Sequence, residues 1–180
     1  VVGVSDACIA TNPSDMAVAM RVLDAAVETV RPDGAARSIP IAEFHRLPGD
    51  TPERDNNLAH GELIVALELP KSTLAKNSYY LKVRDRASYA FALVAVAAAL
   101  ELDGGTIRQA RVVLGGVAHK PWRSTEAEAA LSGRPASEES FRRAAEAALA
   151  GAKPLAHNAY KVELGKRAVV RALMRASRLA

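Results

Sequence analysis

The stretch SYYLKVRDRASYAFALVAVAAALELDGGTIRQARVVLGG, Ser78 to Gly116, sets the fold class, because it reads as three extended segments in meander order. Ser78–Arg84 and Ile107–Gly115 are rich in β-branched and aromatic residues, and Phe91–Leu102 lies between them. Asp103-Gly104-Gly105 is a hairpin signal, since these residue types tolerate the positive φ of tight primed turns. The middle segment is rich in alanine, which by itself favours helix; its place beside that turn assigns it to the sheet. A three-stranded antiparallel sheet is the prediction.

Upstream of the meander, Lys71–Asn77 is the predicted boundary between an N-terminal unit, residues 1–72, and a C-terminal unit, residues 77–180. Glu62–Leu69 alternates weakly and stops at Pro70, which reads as a short strand. Pro48–Asn57 is polar and proline-punctuated, a surface loop of the length that often serves a site. Phe44 and Leu47 are expected to anchor the turn before it. Val27–Arg31 and Arg37–Ile41 form a predicted hairpin around Pro32-Asp33-Gly34, which combines a fixed φ, a local acceptor and a flexible residue.

At the N-terminal end, CIATNPSDMAVAM, Cys8 to Met20, joins the only cysteine to a predicted helix over Pro13–Ala25. Asn12 is the predicted cap, Pro13 suits the first helical position, and Asp15 complements the positive helix end. Asp15 is therefore either a cap or a ligand. Met16, Met20, Leu23 and Val27 are spaced to share one face. Val1–Ala10 reads as a strand. Its start, with no initiator Met and no charged leader region, predicts a piece of a longer chain entered in mid-flow.

Beyond the meander the chain reads as helical. Thr125 with Glu128 matches a capping box, Ser137 caps a helix running to about Ala150, and Val162–Arg178 forms the last helix. Val169, Val170, Leu173 and Met174 supply its apolar stripe, with Lys166, Arg167, Arg171 and Arg175 on the wet side. The fold class is α+β: the second half of an α/β domain, then a three-stranded antiparallel sheet with a C-terminal helix bundle.

Composition narrows the function classes. The chain has 180 residues, 49% hydrophobic and 24% charged, enough for one large or two small packed domains. A net charge of +4 and 4% aromatic residues, without a basic run interleaved with rings, argue against a nucleic-acid partner. The longest apolar run, Tyr89–Leu100, falls well short of the roughly 20 residues of a membrane span. One cysteine excludes an internal disulfide, and the four histidines have no metal-ligand spacing. No GxSxG, GxGxxG or GxxxxGK occurs, so nucleophilic catalysis and a phosphate loop have no motif to carry them. Gly115-Gly116 reads as a strand-ending turn.

Lys82, Arg84 and Arg86 lie at i, i+2 and i+4, so on an extended segment they share a face. Such a row either holds an anion or is a charged sheet edge that discourages pairing. Tyr79, Tyr80 and Tyr89 flank it, to pack a planar ring or to fill a half-buried strand.

Taken in order, CIATNPSDMAVAM, LPGDTPERDNNLAHGELI, YYLKVRDRASYAFALVAVAAAL and LGGVAHKPWR resemble the FAD-binding medium subunit of the molybdenum hydroxylases. This is the xanthine dehydrogenase, aldehyde oxidoreductase and carbon monoxide dehydrogenase family, and the bacterial aldehyde oxidoreductase branch is the most similar. The resemblance implies FAD as cofactor, with Asp15 at the ribityl and flavin region, Ile64 against the isoalloxazine and Lys82 near it. Ser14 adjoins Asp15 in the same motif, and Arg86 and Tyr89 sit on the segment that approaches the ring from the far side. The family's glycine-rich pyrophosphate loop has no matching segment here. Cys8 is either one ligand of a 4Fe-4S cluster found in some members or a buried thiol. The implied partners are a molybdenum-cofactor large subunit and a 2Fe-2S small subunit, with no nucleic acid and no membrane, in a bacterial cytoplasm or periplasm. The implied function is electron transfer from iron–sulfur clusters through FAD to an external acceptor, with no acid, base or nucleophile in this chain. The rival is a docking module that does not bind FAD by itself.

Overall fold

The computed structural model describes residues 1–178, so the last two residues of the predicted C-terminal unit lie outside the described residues. The chain runs through α1 (Asp15–Val22), β1 (Ala26–Val30), β2 (Ala36–Pro40), a short α2 (Ile41–Phe44) and β3 (Leu63–Glu68). A 3-10 turn (Thr73–Asn77) leads into β4 (Ser78–Val83), β5 (Val94–Asp103), β6 (Thr106–Gly115) and β7 (Trp122–Arg123), followed by α3 (Thr125–Leu131), α4 (Glu138–Leu149) and α5 (Tyr160–Ala176). The α+β class holds, with antiparallel sheets of order β2-β1-β3 and β4-β5-β6-β7. The predicted three-stranded meander gains a two-residue fourth strand, β7, against the end of β6.

β5 is the centre of the larger sheet, and alanine is there for a packing reason. Val94, Val96, Ala98 and Leu100 face the helices of the C-terminal bundle, while Ala97 and Ala99 lie under α1 and the 3-10 turn with Val18, Val22, Leu74 and Val113. Both faces are covered, so the strand reads as continuous apolar sequence without polar alternation. Small side chains let α1 come close. A Cβ on Gly115 would stand 2.6 Å from Cγ2 of Val18, so glycine sets the distance between α1 and β6.

Gly116, next along, has φ +73°, and a Cβ there would sit 3.1 Å from the carbonyl oxygens of Ala92 and Leu93. Both the left-handed backbone and the contact oppose a side chain. Gly116→Ala is expected to cost about 2 kcal/mol, read from the urea midpoint against wild type.

Several expectations are corrected at the N-terminal end. Val1–Ala10 is not a strand: its only ladder feature is a bridge between Ser5 and Cys8. Its backbone groups are spent one at a time instead, with Val2 N donating to Val117 O at 3.0 Å and Val1 O accepting from Lys153 N at 2.8 Å. The cap of α1 is Ser14, not Asn12, because Ser14 is extended (ψ 112°) and its Oγ accepts from Ala17 N. Asn12 Oδ1 accepts from Ser14 N at 3.0 Å and sets the turn before the cap. The helix ends at Val22, and its inner face is Ala17, Val18 and Val22, while Met16 is 59% exposed. The close seat on Gly115 selects small and β-branched residues over methionine.

In the C-terminal half, Ser124 rather than Thr125 caps α3, accepting from Ala127 N at 3.2 Å. Glu128 does not close a capping box: it accepts from Val112 N and from Arg123, tying α3 to β6 and β7. Ser137 caps α4 as predicted. In α5 the buried stripe is Ala168, Val169, Ala172, Leu173 and Ala176, with Val170 and Met174 half-buried beside it.

Asp24, just past α1, joins the two halves. Its carboxylate accepts from Arg21 Nη1 at 2.8 Å, Arg123 Nη1 at 2.9 Å and Arg111 Nη2 at 3.0 Å. Three guanidinium groups therefore converge on one carboxylate between α1, β6 and β7.

The predicted hairpin forms as β1–β2, and Val27, Ile39, Ile41 and Phe44 make its small core. Phe44 is an anchor, whereas Leu47 is 40% exposed. β3 completes this sheet as an edge strand, and every one of its residues is exposed, including Leu63, Ile64, Val65 and Leu67.

Glu62, just before β3, is the polar hub of this sheet. It accepts from Arg37 Nε and Nη2 at 2.5 and 2.6 Å, from Thr29 Oγ1 at 2.5 Å and from Ala59 N at 2.7 Å. The bonds from Arg37, Thr29 and the Ala59 amide hold its carboxyl at about 2, well below the usual range. A carboxyl whose native value is depressed stabilises the fold above its unfolded value and loses that contribution as pH falls toward the native one. The β1–β2–β3 sheet is thus expected to lose stability between roughly pH 5 and pH 2. Glu62→Gln is expected to flatten that slope in acid titrations followed by circular dichroism.

Candidate functional site: a carboxylate held by a phenol and a lysine

Three side chains from distant parts of the sequence meet at the start of α1. Ser14 ends the extended segment and caps the helix, which points Asp15 in the first turn across to β4. Tyr80 and Lys82 are two apart on β4, so they project from the same face. Tyr80 Oη donates to Asp15 Oδ1 at 2.7 Å, and Lys82 Nζ donates to Oδ2 at 2.7 Å. Tyr80 is half-buried against the cluster of Val18, Val22, Leu74 and Ala97, while the Asp15 side chain remains 41% exposed.

The electrostatics follow from that geometry. Partial burial works against the charged form of Asp15, but the hydrogen bonds from Lys82 and Tyr80, with the nearby charges of Lys82 and Arg84, outweigh it and lower its pKa. Burial pushes the Tyr80 phenol upward, and the Asp15 hydrogen bond and charge add to this. The pair is therefore a fixed carboxylate and a fixed donor.

Asp15, Ser14 and Pro13 line a cavity of about 610 Å3 together with Lys82, Arg86, Tyr89, Ala90 and Phe91. That size lies in the range of about 300–1,000 Å3 typical of small-molecule sites. Tyr89 has φ +51° and is 95% exposed, and Phe91 is 75% exposed, so two aromatic rings stand at the rim. The Arg86 guanidinium donates to Tyr89 O and braces this loop.

Of the residues singled out in the sequence, the structure brings together Ser14, Asp15, Lys82 and Arg86. Ile64 lies elsewhere, exposed on β3 of the smaller sheet. The row Lys82, Arg84, Arg86 is only partly a strand face, since β4 ends at Val83. Phe91 carries no sequence signal for the site, and Tyr80, expected to pack a ring or fill the strand, instead gives its hydroxyl to Asp15; the signal for that is its i, i+2 relation to Lys82, within the same alternation that links the cations.

Cys8 is a half-buried free thiol in the wall of a small cleft with His119 and Asn158, and its carbonyl pairs with His119 Nε2 at 2.9 Å. Among the described residues no group of His, Cys, Asp and Glu is placed to hold a metal ion. A four-iron cluster takes four cysteine thiolates, and this chain has one, so its residues do not by themselves form such a site. Among the described residues, no helix is long and apolar enough to cross a membrane.

Comparison with known proteins places this geometry in a family. Residues 6–72 match the FAD binding domain in molybdopterin dehydrogenase, and residues 79–176 match the CO dehydrogenase flavoprotein C-terminal domain. The chain is 52% identical over 176 residues to the aldehyde oxidoreductase FAD-binding subunit PaoB of Escherichia coli (strain K12), covering 98% of this chain and 52% of that protein. It is 34% identical over 121 residues to the glyceraldehyde dehydrogenase medium chain of Sulfolobus acidocaldarius, covering 67% and 40%. Among solved structures, quinoline 2-oxidoreductase from Pseudomonas putida 86 superposes with a TM-score of 0.82 at 25% identity, over 95% of this chain and 58% of that one. The chain thus spans about half the length of the curated relatives it matches. It belongs to the FAD-binding subunits of the molybdenum hydroxylases, the xanthine dehydrogenase, aldehyde oxidoreductase and CO dehydrogenase family, whose cofactor is FAD.

Proposed function

We propose that this chain contributes the flavin-holding wall of an electron-transfer subunit, which passes electrons from iron–sulfur clusters through FAD to an external acceptor. The single observation that carries this reading is Asp15, fixed by Tyr80 and Lys82 at the edge of a cavity rimmed by Tyr89 and Phe91. FAD, when bound, supplies all of the redox chemistry. The residues present fit it. A carboxylate has about four lone-pair positions, and with two engaged, Asp15 can still accept from hydroxyl groups. Lys82 and Arg86 put positive charge beside the space for the ring, which favours an anionic reduced flavin. Ile64, exposed on β3, does not line that cavity, and its place against a ring face rests on the family resemblance alone. No side chain here is needed as acid, base or nucleophile.

The partners proposed with this role, on the family resemblance, are a molybdenum-cofactor subunit and a 2Fe-2S subunit. Cys8 would join a 4Fe-4S cluster only with cysteines from elsewhere in a longer polypeptide.

A second reading, a docking module that does not bind FAD by itself, is favoured by the groove between α4 and α5. It has a volume of about 430 Å3, with Arg142, Glu146, Lys166 and Arg167 over an apolar floor of Ala145, Val170 and Met174. Titrating the 180-residue chain with FAD, read by quenching of flavin fluorescence, separates the two. Micromolar binding overturns the pure docking reading; a longer polypeptide that contains this chain, co-expressed with its partners and purified without a flavin absorption band, overturns the flavin wall.

A further inference from the structure

We propose that Tyr80 is a positioning residue of the flavin site, and that with Lys82 it locks the Asp15 carboxylate so that its free lone pairs accept from the hydroxylated side chain of the flavin. The inference rests on the flavin reading above and assigns a role to a residue that makes no contact with the cavity.

The geometry makes the case. A carboxylate held at one oxygen still turns about its Cβ–Cγ bond, because that terminal torsion is broad. Asp15 is held at both oxygens, each at 2.7 Å and each by a different donor. Two of its roughly four acceptor positions are spent on β4, which leaves about two on a side chain that lines the cavity. Tyr80 is absent from that lining; only its hydroxyl reaches the site, through Asp15.

A half-buried phenol needs a partner, and a backbone carbonyl would serve. A carboxylate at the end of a helix 65 residues away is a more demanding choice, and the hydrogen bond to it is charge-assisted. The phenol also stays protonated, since burial and the neighbouring carboxylate both oppose its ionisation. It is a donor throughout the working pH range.

Other charged groups near Asp15 are few. Lys82 and Arg84 act on it from β4 and its continuation, and Arg86 lines the same cavity. From β5 and β6, Ala95 and Gly115 approach the start of α1 without charge. Its own element contributes Ser14, whose Oγ is engaged by Ala17 N.

The test is Tyr80→Phe, which keeps the ring and removes the hydroxyl, with thermal melting to confirm the fold. Without flavin, carbon-detected NMR titration of the Asp15 carboxyl is expected to shift upward by about one pH unit. With flavin, affinity for FAD at neutral pH is expected to fall about tenfold. In an Asp15→Asn background, Tyr80→Phe is expected to add less than about twofold, since its effect passes through Asp15. An unchanged Asp15 titration, or an equal loss of affinity in the Asp15→Asn background, overturns the inference. A wild-type subunit containing this chain that binds no FAD overturns the flavin reading and this one with it. The titration, which needs no flavin, tells that failure from a failure of Tyr80 alone.

Discussion

Asp15→Ala is expected to weaken FAD binding by about 10- to 100-fold, the largest functional effect of a single substitution in this chain. A hydrogen bond to a charged group is worth about 1.5–3 kcal/mol, and each 1.4 kcal/mol is tenfold in affinity. Asp15 loses more than its own contacts, since Lys82 Nζ and Tyr80 Oη both donate to it and are left without an acceptor. Asp15→Asn keeps the shape and one carbonyl acceptor, and is expected to lose less. Lys82→Met removes the cation but leaves Tyr80 on Asp15, and is expected to fall between the two. Flavin fluorescence titrations of the three variants at neutral pH give the order. Wild-type affinity in Asp15→Ala would remove the carboxylate from the site.

How far the sequence reveals this site depends on how local each signal is. The turn residues are local, so Pro32-Asp33-Gly34 and Asp103-Gly104-Gly105 place β1–β2 and β5–β6 where the structure has them. The first-turn aspartate is local too: Pro13-Ser14-Asp15 marks Asp15 as a cap or a ligand, and only the family resemblance points to the ligand. Its partnership with Tyr80 and Lys82 is not: alternation puts those two on one face, but they come from 65 and 67 residues away, and only the packing of α1 on the sheet shows that this face meets Asp15. The mistaken strand over Val1–Ala10 has the same origin. Its valines look like a ladder, yet the groups that satisfy its backbone belong to Val117 and Lys153. The inner face of α1 departs from the apolar periodicity because periodicity names apolar positions, whereas the seat on Gly115 selects by size.

That seat also bears on the second large prediction. The two matched regions meet physically, because α1, within residues 6–72, packs on β5 and β6, within residues 79–176. Asp24 reinforces the joint through Arg111 on β6 and Arg123 on β7. Phe141 on α4 is among the largest fully buried side chains, at 0% exposure, in the cluster that joins the helix bundle to β5 and β6. Phe141→Ala is expected to cost about 3–5 kcal/mol, the transfer loss plus the cavity left in a core that relaxes only in part. Phe141→Leu keeps most of the volume and is expected to cost under about 1.5 kcal/mol. Because α1 rests on the other face of the same sheet, the loss should lower the unfolding midpoint at Asp15 as much as at α4. Urea unfolding followed by Trp122 fluorescence and by the Asp15 carboxyl NMR signal is the check. Coincident shifts of both probes support one cooperative unit, and a shift confined to the Trp122 signal would show that α1 and its site unfold separately from the bundle.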